Sequence, residues 1–194
     1  MTNPLADPYF ILNKVYGGGA FLKQAIAETP IEEQNRARTV KIVYGVMEND
    51  IYLEHCIRAF APKNPKLPVR IVLKISVYML LFLGKKKYMV TDNAVSLVNK
   101  LGKGGAAGFV NAFLRAFEPE KVKLPEGELA ALSVKASYPM FALSRLVKAY
   151  GRDTAEKVAL YRAEGVCVRF ACSEEKMNGY LAGAEHLQTP FADT

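Results

Sequence analysis

Apolar residues recur at helical spacing along most of this 194-residue chain and divide it into successive amphipathic segments. Tyr9–Tyr16 is the first, and it ends at Gly17-Gly18-Gly19. No strand precedes these glycines and no Lys-Ser/Thr follows, so they read as a turn and not as a phosphate cradle. Thr29-Pro30-Ile31-Glu32 predicts a helix start. Thr29 would be the N-cap, Pro30 the first helical residue, and Glu32 the return partner of a capping box. That helix continues through Val40, Val43, Tyr44 and Met47, and a second opens at Asp50 with Leu53, Cys56, Ile57 and Phe60 on one face. Three prolines make Ala61–Pro68 a loop. Val69 to Leu83 is apolar on most sides, which predicts the central, most buried helix. Gly84-Lys85-Lys86-Lys87 ends it, Asp92–Leu101 is amphipathic again, and Gly102-Lys103-Gly104-Gly105 leads into a helix over Ala106–Phe117.

A polar, proline-containing boundary follows at Glu118-Pro119-Glu120 and Leu124-Pro125-Glu126-Gly127. Beyond it, Leu132–Ser137, Phe141–Tyr150 and a segment capped by Asp153 and running to about Arg162 are helical, whereas Val166-Cys167-Val168-Arg169-Phe170 alternates and predicts a strand. One strand and a few short helices make a poor independent core. The pattern therefore predicts an all-α helical bundle over residues 1–125, followed at 126–194 by a small, incomplete α/β segment.

Composition narrows the class. With 51% hydrophobic and 23% charged residues, the chain can bury a real core. The longest apolar run, Ile75 to Leu83, is too short to span a membrane, and the first residues carry neither a basic nor an apolar signal region. Three cysteines and two histidines, His55 and His186, match no zinc spacing, so the thiols read as reduced small hydrophobes in a cytoplasmic protein.

Charge changes the picture more. Residues 1–125 hold 18 basic and 10 acidic side chains, whereas 126–194 hold 8 and 9. Between Ala59 and Lys103 lie Lys63, Lys66, Arg70, Lys74, Lys85, Lys86, Lys87, Lys100 and Lys103, against the single acid Asp92. Repulsion among so many cations is a cost that a polyanion partner relieves, because each phosphate contact releases condensed counterions. A solvated basic face is the plain alternative. The candidate RNA contacts are Lys63, Lys66, Arg70, Lys85, Lys86, Lys87, Lys100 and Lys103. Lys74 and Tyr78 fit a core helix better, with Lys74 snorkelling outward. Gly102-Lys103-Gly104-Gly105 would point backbone N–H groups and a helix dipole at an anion, and an ordinary helix–helix turn explains the same glycines. Asn111 and Arg115, one turn apart, read as structural. No nucleophile triad, paired-carboxylate motif or cofactor loop is present, and His55 beside Cys56 points a different way around its helix.

Several of these stretches together resemble the NusB-like RNA-binding domain. They are Val43-Tyr44-Gly45-Val46, Val69-Arg70-Ile71-Val72-Leu73-Lys74 with Tyr78-Met79-Leu80, Asn93-Ala94-Val95, and Gly104 to Arg115. The Val110-Asn111-Ala112-x-Leu114-Arg115 ending is similar to the version fused to bacterial 16S rRNA (cytosine-5) methyltransferases of the NOL1/NOP2/Sun family. Free-standing NusB antitermination factors usually carry Gly in place of Ala112 and an acid in place of Arg115. Ser137-Tyr138-Pro139, Arg145-Leu146-Val147, Tyr150-Gly151 and Val168-Arg169-Phe170 resemble the segment that joins the two modules in that family. The family's arginine ahead of the first helix is replaced here around Ala6-Asp7-Pro8, and its tryptophan after the Ser-Tyr/His-Pro motif is absent, with Phe141 nearby.

The resemblance implies a role in binding ribosomal RNA and positioning it for a catalytic module. It also implies S-adenosylmethionine as that module's cofactor, although the family's cofactor loop and Pro-Cys nucleophile have no counterpart in these residues. No cofactor and no metal are therefore expected on this chain, and no membrane partner. A stand-alone antitermination factor, binding RNA and a ribosomal protein, is the alternative.

Overall fold

The computed structural model describes residues 3–61 and 63–161, with Lys176 and Gly179 beyond them. Every regular element among the described residues is helical. The strand predicted at Val166–Phe170, and with it Cys167 and Cys172, lies outside the described residues.

The first helix, α1 (Ala6–Gly18), stops where Gly19 turns left-handed at φ 68°, a conformation that costs a Cβ-bearing residue energy. The Gly19 and Ala20 N–H groups then bond back to Val15 and Lys14, closing the end of the helix. A short α2 (Leu22–Ala27) follows, too brief to produce a readable period. α3 (Glu33–Glu48) begins later than Thr29-Pro30 suggests. The Thr29 hydroxyl donates to the Ala25 carbonyl at 2.7 Å, so it closes α2 instead of opening α3. A hydroxyl serves either helix end, and the sequence motif does not distinguish them. α4 (Asp50–Phe60) matches the expected span.

α5 (Leu67–Leu81), with Pro68 in its first turn, is the axis of the bundle. Ten of its residues are buried, and it packs against α1, α3, α4, α6 and α7. Burial on every side is why no single apolar stripe marks it. α6 (Lys87–Lys100) starts five residues ahead of the predicted Asp92; the Thr91 hydroxyl and the Asn93 amide donate back to the Lys87 and Met89 carbonyls, so these polar side chains stay with their own helix. A 3-10 turn at Gly104–Ala106 leads into α7 (Ala107–Ala116). Leu5, Ile11, Leu12, Ile42, Leu53, Ile57, Ile71, Leu73, Ile75, Leu97, Leu114 and Phe117 are fully buried in the bundle's core.

Three further helices, α8 (Glu128–Ala136), α9 (Met140–Tyr150) and α10 (Arg152–Leu160), share a separate small core of Leu132, Ala136, Leu143, Ala155 and Ala159. α8 packs on α4. Ser137, left-handed at φ 52°, holds the junction: its Oγ accepts the N–H groups of Ile51 (2.9 Å) and Tyr52 (3.4 Å). These are N-terminal donors of α4 that no residue of α4 can satisfy, so Ser137 acts as an N-cap supplied from another helix pair. The His55 ring Nε2 lies 2.8 Å from the Lys123 carbonyl and fastens the intervening linker to the same helix.

Gly45 lets α3 and α5 approach closely. A Cβ built there would overlap the buried Tyr78 ring, which stacks on Phe82 with centroids 5.2 Å apart. Gly45→Ala should therefore lower stability by about 1–3 kcal/mol through overpacking. Gly18, with open space around its Cβ position, should accept alanine without loss. Equilibrium denaturant unfolding of the two variants checks this pair of expectations.

Candidate nucleic-acid interface

The α4–α5 loop and the α6–α7 turn meet at one end of the bundle and enclose a cleft of about 690 Å³. Lys63, Asn64, Pro65 and Lys66 line one side and Lys103, Gly105 and Ala106 the other; Pro68, Val69 and Phe109 complete the lining. No carboxylate is among these residues. Lys66 is the N-cap of α5 and Ala106 that of α7, so two helix N-termini add their partial positive charge to three ammonium groups. Prolines, Val69 and the half-buried Phe109 ring supply an apolar wall. Cations beside apolar and aromatic surface suit a phosphate and its attached base.

The eight candidate cations separate into two groups. Lys63, Lys66 and Lys103 border the cleft. Arg70 lies one turn into α5 and donates to Asn64 Oδ1 at 3.4 Å, with Glu54 3.8 Å away. Lys100 is exposed in the last turn of α6, where a cation also suits the helix's negative end. Lys85 and Lys86 belong to the α5–α6 turn, at the far end of both helices; a 15-residue α5 is about 22 Å long. They are exposed. Lys87 is engaged: its ammonium donates to the Phe117 carbonyl at 2.7 Å and the Arg115 carbonyl at 3.3 Å, capping the end of α7. The basic run is therefore not one surface, and one of its members serves the fold.

Lys74 is the internal counterpart of this surface charge. Its side chain is 7% exposed, and its ammonium lies 2.6 Å from Asp50 Oδ1 and 3.2 Å from Glu54 Oε2, both on α4. It also stands 4.8 Å from the centroid of the Tyr16 ring. Tyr16 donates its hydroxyl to Asp50, and burial together with that carboxylate holds the phenol well above its usual range. Asp50 and Glu54, one turn apart on α4, would repel without the lysine between them. Lys74 is thus a satisfied core cation and does not belong with the exposed candidate contacts, nor does the core residue Tyr78.

The sequence reading missed Asn64, Val69 and Phe109 as parts of the site. Their only local signal is position beside a proline loop and a glycine turn. Among the described residues no cluster of three or more His, Cys, Asp or Glu is placed to hold a metal ion, and no helix is long and apolar enough to cross a membrane. Cys56 is fully buried, and burial pushes its thiol up to about 11. It does not fit the exposed nucleophile that methyl transfer to a base requires.

A family model described as the NusB family matches residues 10–119, more than half of the 194. The chain belongs to the NusB family. The match spans α1 to α7 and so contains the whole cleft. This NusB-family chain is also similar to the "Probable ribosomal RNA small subunit methyltransferase B" of Bacillus subtilis (strain 168), at 29% identity over 152 residues. That likeness covers 75% of this chain and 34% of the relative, so the chain spans about a third of the relative's length. Residues 1–119 are less than two thirds of the chain. The likeness therefore runs past the family match, through α8 and into α9.

Four lysine substitutions separate the cations that serve the fold from those free on the surface. Lys74→Met should cost about 2–3 kcal/mol, short of the roughly 3–5 for a fully buried pair because the Asp50 side chain is 35% exposed. Adding Asp50→Asn and Glu54→Gln should recover part of that loss in thermal denaturation. Lys87→Ala should cost about 1 kcal/mol by uncapping α7, whereas Lys85→Ala and Lys86→Ala should each stay within about 0.5 kcal/mol of the parent.

Proposed function

We propose that this chain is the RNA-binding N-terminal region of an rRNA cytosine-5 methyltransferase, and that it positions 16S ribosomal RNA for a catalytic module. The cleft carries the reading: Lys63, Lys66 and Lys103, two helix N-termini and no carboxylate converge on a wall of proline, valine and phenylalanine. Ammonium groups bind phosphates by charge and carry no base identity, so the domain supplies affinity and orientation and leaves chemistry and much of the selectivity elsewhere. The similarity that continues beyond residue 119 to a small-subunit rRNA methyltransferase favours this over a stand-alone antitermination factor that docks a ribosomal protein. S-adenosylmethionine would then belong to the catalytic module, and the protein would work in the cytoplasm, where ribosomal RNA is made and modified.

Salt dependence tests the reading. RNA binding by the 194-residue chain should weaken steeply with salt. Replacing Lys63, Lys66 and Lys103 by alanine should reduce the slope of log K against log salt by about 2, at ~0.7 per single-strand phosphate contact. No RNA binding at low salt, or a triple variant with the parent's affinity and slope, would contradict it.

A further inference from the structure

α9 presents an exposed face that the cleft does not use. Its inward side is Leu143, buried, with Leu146 and Val147 packed partly against the small core. At 100° per residue, Phe141, Ser144, Arg145 and Lys148 fall together on the opposite side. All four are exposed, and the Phe141 ring is 71% open to solvent. Met140–Tyr150 contains no acid. The nearby carboxylates Glu128, Asp153 and Glu156 gather around Arg152 at the start of α10. Arg145 and Lys148 consequently make no ion pair among the described residues. Two uncompensated cations that follow a bare aromatic ring along one helix face match a polyanion that carries flat, stackable bases, whereas a protein surface seated there would have to bring its own carboxylates.

We infer that this face of α9 is a second contact for single-stranded RNA, with a base stacked on Phe141 and flanking phosphates on Arg145 and Lys148. The inference rests on the RNA-binding reading above and extends it beyond the NusB match. The two sites attach to opposite ends of one helix. Ser137, which leads into α9, sits on the N-terminus of α4, while the lysines of the α4–α5 loop follow its other end. α4 has 11 residues and is about 16 Å long, so it is the strut between the two contacts. The Ser137 hydrogen bonds tie the start of α9 to that strut.

The test uses the whole 194-residue chain and a fluorescently labelled single-stranded fragment of 16S rRNA. Phe141→Ala and Phe141→Leu should each lower affinity about fivefold or more, and Phe141→Trp should retain it, because stacking needs a π face and not merely an apolar one. Arg145→Ala with Lys148→Ala should reduce the salt slope by about 1.4. All four positions are exposed, so melting temperatures should match the parent. Parent-like affinity and slope in these variants, with the Lys63/Lys66/Lys103 variant still weakened, overturns the inference and leaves the face to a protein partner or to solvent, while the RNA-binding reading stands. If the parent chain binds no RNA, both fall.

Discussion

A lysine buried in the middle of the central helix constrains how the helices around it must lie. α5 packs against five other helices, and the Lys74 side chain is nearly closed off from bulk water. An unpaired ammonium there would cost several kcal/mol, so the first turns of α4 must present Asp50 and Glu54 to it, with Tyr16 of α1 completing the shell. That requirement sets how α4 lies against α5. The setting has two consequences at opposite ends of α4. Its C-terminal end delivers the loop that carries Lys63 and Lys66 to the cleft, and its N-terminal end offers the N–H groups that Ser137 caps. One internal lysine with its two carboxylates thus orders both the cleft end of the bundle and the attachment of α8–α10.

Glu54 links the internal and external charge. Beyond Lys74 it lies 3.8 Å from Arg70 and 3.3 Å from Arg58. Arg70 is thereby turned toward Asn64 at the border of the cleft, oriented by a carboxylate and not left to sample solvent. The cations split by duty. Some satisfy the core or a helix end, as Lys74 and Lys87 do, and others remain without an acid near an apolar wall, where phosphate is the group that can pair with them.

The helical architecture was legible because its elements obey a simple period. α4 starts where Asp50 suggests, and α5 stands out by being apolar on nearly every side. α9 was readable from Phe141 to Tyr150. What the sequence hid was long-range. Thr29 faces backward to α2, and nothing local distinguishes that from an N-cap. The start of α6 lay under a lysine run that resembles loop, and Thr91 and Asn93 bond back within the helix without marking where it opens. Nothing near Lys87 announces the end of α7 thirty residues later, and nothing near Asp50 announces Lys74. Charge density along the chain pointed to a polyanion, yet only the antiparallel return of α6 beside α5 decides which lysines meet. Phe109 was visible as part of a family-like stretch, but its role as a cleft wall depends on a loop more than forty residues earlier.

Hydrogen exchange of the 194-residue chain, with and without a single-stranded 16S rRNA fragment, addresses the central claim most directly. Backbone amides of residues 63–70 and 103–110 should gain protection on RNA binding, while those of the α5–α6 turn at 82–86 change little. Protection centred on 82–86, with the two cleft segments unchanged, would show that the RNA grips the wrong end of the bundle and would contradict the account.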